Sequence, residues 1–125
     1  MMKNFLYVVL LICSALSCSD AVAHNASKAK SGGVLSTAGD LEFELVSSAD
    51  DALIFVEDYS KPISTTGVSG KLTVLAGGKK TEGELKSGGE NRIVVSGLKL
   101  ESGAKVVAAV TLAGKKPLAV RFAVR

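Results

Sequence analysis

Tryptophan is absent from this chain, histidine occurs once, and cysteine and proline occur twice each. Each scarcity excludes something. A single histidine cannot make an H-E-x-x-H zinc helix, and outside the N-terminal tail there is no imidazole to activate a serine. No G-x-S-x-G nucleophile elbow is present; Gly67-Val68-Ser69-Gly70 falls one residue short and reads as a turn. Gly77-Gly78-Lys79-Lys80-Thr81 has the letters of a phosphate loop without its spacing or its helix, and reads as a hairpin. No enzymatic activity is expected. Aromatics make up only 5% of the residues and do not interleave with the basic ones. The net charge of +3 is mild, and Lys79-Lys80 and Lys115-Lys116 fall in turns rather than on one stripe. A nucleic-acid surface needs a clustered basic patch, so that class is excluded, and the lysines read as solubilising turn residues.

Long apolar runs are also missing, with one exception. Phe5 to Leu16, behind Lys3, is an apolar stretch of about a dozen residues, the length of a secretory h-region and too short for a bilayer span. Ala21-Val22-Ala23 follows as an A-x-A cleavage signal. Residues 1–23 therefore read as a signal peptide and the product as an exported, periplasmic protein that does not span a membrane. Two other processing routes stay open. Cleavage after Ala21 would leave Val22-Ala23-His24 as the new end. Ala15-Leu16-Ser17-Cys18 faintly resembles a lipobox and would make Cys18 a lipid anchor, although alanine stands where a lipobox carries leucine. Both cysteines, Cys13 and Cys18, lie within residues 1–23. A chain beginning at His24 can form no disulfide and must be held together by packing.

What the remainder does contain is period-two patterning. Residues 24–33 are small and polar, a flexible lead-in; residues 34–125 read as one domain. Leu41-Glu42-Phe43-Glu44-Leu45 alternates, placing the apolar side chains on one face of a strand and the glutamates on its wet face. Further strands are expected over 52–57, 71–76, 81–86, 92–96, 105–112 and 118–124, with a short one at 34–36. Val106 to Val110, apolar on both faces, suits a central strand. Gly77-Gly78 predicts a tight hairpin. About seven short strands at this spacing indicate an all-β, Ig-like antiparallel sandwich. Phe43, Phe55 and Phe122 are its expected core anchors. Asp50-Asp51 with Glu57-Asp58 is the densest acidic group, but it lacks the D-x-D-x-D spacing and glycine of a calcium loop.

Three stretches carry a family resemblance. SGGVLSTAGDLEFELV (residues 31–46), KPISTTGVSGKLTVLAGGKK (61–80) and SGAKVVAAVTLAGKKPLAVRFAV (102–124) together resemble small periplasmic β-sandwich domains. Such domains occur alone or as the N-terminal domain of heavy-metal efflux adaptor subunits of the resistance-nodulation-division type. The resemblance implies a β-sandwich and a role near metal-efflux or envelope machinery, with no catalytic activity. Two positions depart from it. The family often carries histidine before the glycine pair, where this chain has Ser31. It also often has one in the acidic turn before Lys61-Pro62, where this chain reads Glu57-Asp58-Tyr59-Ser60.

His24 is then the only imidazole and the one candidate metal ligand. As a free N-terminus it would chelate Cu(II) through its amine and Nδ1, and Val22-Ala23-His24 would supply a planar four-nitrogen set. The plainer reading is a tail residue with no ligand. The function expected is an exported, non-enzymatic accessory or binding module of the bacterial cell envelope, associated with heavy-metal efflux. It would contact an envelope or efflux-pump protein through a strand edge or the loop from Ser60 to Gly70. The alternative is a periplasmic copper-binding protein using His24.

Overall fold

The computed structural model describes residues 29–125, and these form an antiparallel β-sandwich without helices. Ten strands follow in chain order: β1 (Val34–Ala38), β2 (Leu41–Ser48), β3 (Asp51–Asp58), β4 (Lys61–Pro62), β5 (Ser69–Ala76), β6 (Lys79–Glu84), β7 (Lys86–Ser87), β8 (Arg92–Val95), β9 (Lys105–Thr111) and β10 (Leu118–Ala123). One sheet has the order β1-β2-β3-β8-β7, with β4 paired to the end of β3; the other has the order β10-β9-β5-β6. The expected strands are present, except that the one expected over 81–86 runs over 79–84 and its expected end, Lys86, lies in β7 of the other sheet. The additions are β4 and β7, two residues each, too short to leave a period-two signature.

Turn chemistry fixes the registers. Ala76 pairs with Lys79, so Gly77-Gly78 is a two-residue hairpin loop. Its φ values of 57° and 76° are those of a type I′ turn, whose twist matches that of the flanking strands. Gly39 opens the β1–β2 turn at φ 57°. Two turns are made without glycine. Ala49 takes φ 47° between β2 and β3, and Tyr59 and Ser60 take 48° and 68° between β3 and β4. A Cβ crowds the backbone there, so these residues are held in conformations they disfavour.

The core lies between the sheets. Phe43, Leu45, Ile54, Val56, Ile93 and Val95 from the first sheet meet Leu72, Val74, Val106, Val110, Val120 and Phe122 from the second. Strand β9 is central to its sheet, as expected, with Val106, Ala108 and Val110 buried inward while Val107 is half-buried and Ala109 exposed on its outer face. The chain changes sheets at Leu85, which is buried and whose N–H donates to the Gly70 carbonyl (3.0 Å). Directly before Glu84, Gly83 lies so close to Val95 that a side chain on it would collide with Cγ1. Along the opposite corner β1 and β10 lie beside one another without pairing. Among the described residues no helix is long and apolar enough to cross a membrane.

One core assignment is corrected. Phe55 does not face the sandwich interior. Along β3 the buried positions are Ala52, Ile54 and Val56, so Phe55 has the opposite parity and is half-buried on the outer face. Its hydrophobicity suggested a core residue, but the strand's alternation decides its direction.

Candidate functional site

The outer face of β1-β2-β3 carries the most structured polar assembly among the described residues. Alternation directs Glu42 and Glu44 of β2 to this face. Glu44 pairs with Leu35 of β1 and with Phe55 of β3, and Glu42 pairs with Glu57. Like charges directly opposite on neighbouring strands destabilise a sheet. Here the Lys30 ammonium lies 3.0 Å from Glu57 Oε2 and offsets that repulsion.

Glu44 was expected on the wet face, and it is 6% exposed. The segment Lys30 to Gly33 accounts for this by crossing over it as a strap. The Glu44 carboxylate accepts hydrogen bonds from three backbone N–H groups: Lys30 (3.1 Å), Ser31 (2.9 Å) and Gly33 (2.9 Å). Converging amides of this kind make a concave anion cradle, filled here by the protein's own carboxylate. The glycine pair makes the cradle possible. Gly32 adopts φ 73°, and a side chain on Gly33 would collide with the Leu45 carbonyl oxygen. The glycines were legible as part of a sequence motif, but their partner Glu44 lies eleven residues beyond Gly33.

Beside the strap is a cleft of about 250 Å³ lined by Lys30, Leu35, Glu42, Glu44, Phe55, Glu57 and Ser60. Its floor is apolar, from Leu35 and Phe55, and its rim is acidic. At its edge stands the Tyr59-Ser60 turn. Tyr59 is 79% exposed, far more than any other large apolar or aromatic residue described. On the inner side of the same strand end, Asp58 Oδ1 is buried without a hydrogen-bond partner.

The acidic residues grouped in sequence are separated in space. Asp51 and Asp58 sit at the two ends of β3, and eight extended residues span roughly 25 Å. Asp51 acts locally. Its Oδ1 accepts the Gly97 N–H (3.0 Å) and ties the β8–β9 loop to the sheet. Among the described residues no group of three or more His, Cys, Asp or Glu side chains is placed to hold a metal ion. His24, Cys13, Cys18 and the expected cleavage site lie outside the described residues.

The loop from Ser60 to Gly70, expected as a contact surface, is anchored by Thr65, which is fully buried. Its hydroxyl donates to the Arg92 carbonyl (2.7 Å) and exchanges a hydrogen bond with Ser87 Oγ (2.9 Å). Its N–H donates to the Glu90 carbonyl (2.9 Å). A buried hydroxyl with full partners fixes a loop firmly. Thr65 is thus a fastening in the loop's middle, while Lys61, Pro62, Ser64, Thr66, Gly67 and Ser69 stay exposed beside the Tyr59-Ser60 turn.

No family model, curated protein or solved structure matches the chain. The resemblance to efflux-adaptor domains rests on the three sequence stretches alone.

Proposed function

We propose that this protein is an exported, non-enzymatic binding module of the bacterial cell envelope, and that it serves heavy-metal efflux by contacting a pump or envelope protein. The contact surface is the Tyr59-Ser60 turn with the adjacent acidic cleft. The leader and the three resembling stretches support the export and efflux parts of this reading; the observation that supports the contact surface is Tyr59, 79% exposed on a turn whose two central residues both hold positive φ. Strain of about 1–3 kcal/mol per such residue persists only where the surroundings over-determine it, and it collects at functional positions. A tyrosine whose backbone the turn holds at φ 48° offers a large amphipathic contact with only two side-chain torsions to order, as binding anchors do. The cleft beside it adds an apolar floor and negative charge, so the partner surface should be apolar with a basic rim.

The test is photo-crosslinking in the native envelope from a benzophenone amino acid placed at Tyr59, with one at exposed Lys115 as control. One dominant adduct from the Tyr59 position, identified by mass spectrometry as an efflux or envelope protein, supports the reading. Equal labelling from both positions, or no adduct from the Tyr59 position, overturns it.

A further inference from the structure

We infer that the edge of β6 is a homodimer interface, through which two copies pair antiparallel about Thr81 and join their four-stranded sheets into one of eight strands. The sheet edges differ in what they leave open. Strands β4 and β7 have two residues each, and β1 and β10 lie beside one another at one corner. Strand β6 has six residues, Lys79–Glu84, pairs only with β5, and is exposed at all but Gly83. Its outer backbone groups have no strand partner among the described residues. The tight hairpin before it makes Ala76 and Lys79 a hydrogen-bonded pair. By alternation Lys79, Thr81 and Gly83 turn their backbone groups toward β5, and Lys80, Glu82 and Glu84 turn theirs outward.

Charge then selects one register. Residues facing each other across a two-fold axis must lie on the same sheet face, so the axis passes through a residue pair. An axis at Lys80 opposes two lysines, and one at Glu82 opposes two glutamates. An axis at Thr81 opposes threonine with threonine and sets Lys80 of each copy against Glu82 of the other. This is the one central register without a like-charge pair, and both Thr–Thr and opposite-charge cross-strand pairs are favourable. Lys80 and Glu82 already form an ion pair within one chain (3.2 Å), which shows that both side chains reach the same strip of surface. Lys79 falls opposite Gly83, where there is no side chain to meet. Edge lysines commonly prevent strand pairing; here each meets a carboxylate or a glycine.

The test uses the processed protein purified from the envelope, expressed with Cys13 and Cys18 replaced by serine so that no native thiol remains whichever end processing leaves. Sedimentation equilibrium should show a monomer–dimer equilibrium. Lys80→Glu should weaken dimerisation roughly tenfold by converting two attractive pairs to repulsive ones, and the charge swap Lys80→Glu with Glu82→Lys should restore it. Under mild oxidation Thr81→Cys should cross-link two copies, because directly opposed Cα atoms of such a pair lie about 4.5 Å apart, within disulfide reach. Glu82→Cys should not cross-link. A monomer at every concentration, an unchanged dimer in Lys80→Glu, or faster linkage through Glu82→Cys than through Thr81→Cys would overturn the inference.

Discussion

Replacing Glu44 by alanine should release the strap and leave the sandwich standing. Three backbone amides, from Lys30, Ser31 and Gly33, converge on this one carboxylate at 2.9–3.1 Å. A hydrogen bond to a charged group contributes about 1.5–3 kcal/mol net, so the three together supply about 5–9 kcal/mol. Ordering four strap residues costs about 1–2 kcal/mol each, about 4–8 kcal/mol in all. The two nearly cancel, and the strap is held by a margin of about 1–2 kcal/mol that depends on the carboxylate. Without it the strap opens, while the core residues under β2 keep their packing. Hydrogen exchange read by mass spectrometry is the direct assay. In Glu44→Ala the Ser31 and Gly33 amides should exchange at close to the unprotected rate, and the amides of β9 should keep their protection. Global stability should fall by only about 1–2 kcal/mol, the strap's own margin. Gly33→Ala should reproduce the strap opening from the other side, because its new methyl group meets the Leu45 carbonyl oxygen. Undiminished protection of Ser31 and Gly33 in Glu44→Ala would refute this account of the strap. Loss of protection in β9 would show instead that Glu44 is integral to the core.

Burial and backbone geometry set the outcome at four other positions. Phe43→Ala should cost ~3–5 kcal/mol in urea denaturation, because Phe43 is fully buried between the sheets. Phe55→Ala, on the half-buried outer face, should cost only about 1–2 kcal/mol; equal losses would show that both reach the core. Thr65→Val keeps the shape but removes the hydroxyl's hydrogen bonds to the Arg92 carbonyl and Ser87 Oγ, leaving that carbonyl the Gly88 N–H (2.7 Å); at about 0.5–1.5 kcal/mol each the loss should be about 1–3 kcal/mol, with local exchange rising at Arg92 and Val68. Ala49→Gly should stabilise by about 0.5–1 kcal/mol, since relief of the left-handed strain at φ 47° exceeds the entropy gained by the unfolded chain; a lower melting temperature would contradict it.

The sandwich was legible because its strands obey a local rule. Leu41, Phe43 and Leu45, and likewise Val120 and Phe122, point as their alternation dictates, and Gly77-Gly78 makes the turn that two glycines favour. Phe55 shows where residue type misleads: alternation within β3, anchored by Ala52, Ile54 and Val56, decides the face, and a lone aromatic on the other parity stays outside. The separation of Asp51 from Asp58 has the same origin. Residues seven apart on a helix share a face about 10 Å apart, but on an extended strand they lie more than about 20 Å apart, at opposite ends of β3.

The candidate site was less legible because its parts are non-local and its signals are geometric. Glu44 reads from its neighbours as a solvent-facing strand residue; only the return of Lys30–Gly33 across the sheet buries it. Tyr59 and Ser60 are not the residues a type I′ turn favours, so the sequence marks the start of a loop at Ser60 but not this two-residue turn, and its strain appears only in the backbone angles. That mismatch makes the turn worth testing. A sequence under selection for stability alone would place asparagine and glycine there. The Tyr59→Asn, Ser60→Gly variant should therefore melt at a higher temperature and lose the Tyr59-dependent contact. A variant that gains stability and keeps an unchanged envelope partner would show that the strain serves no binding purpose.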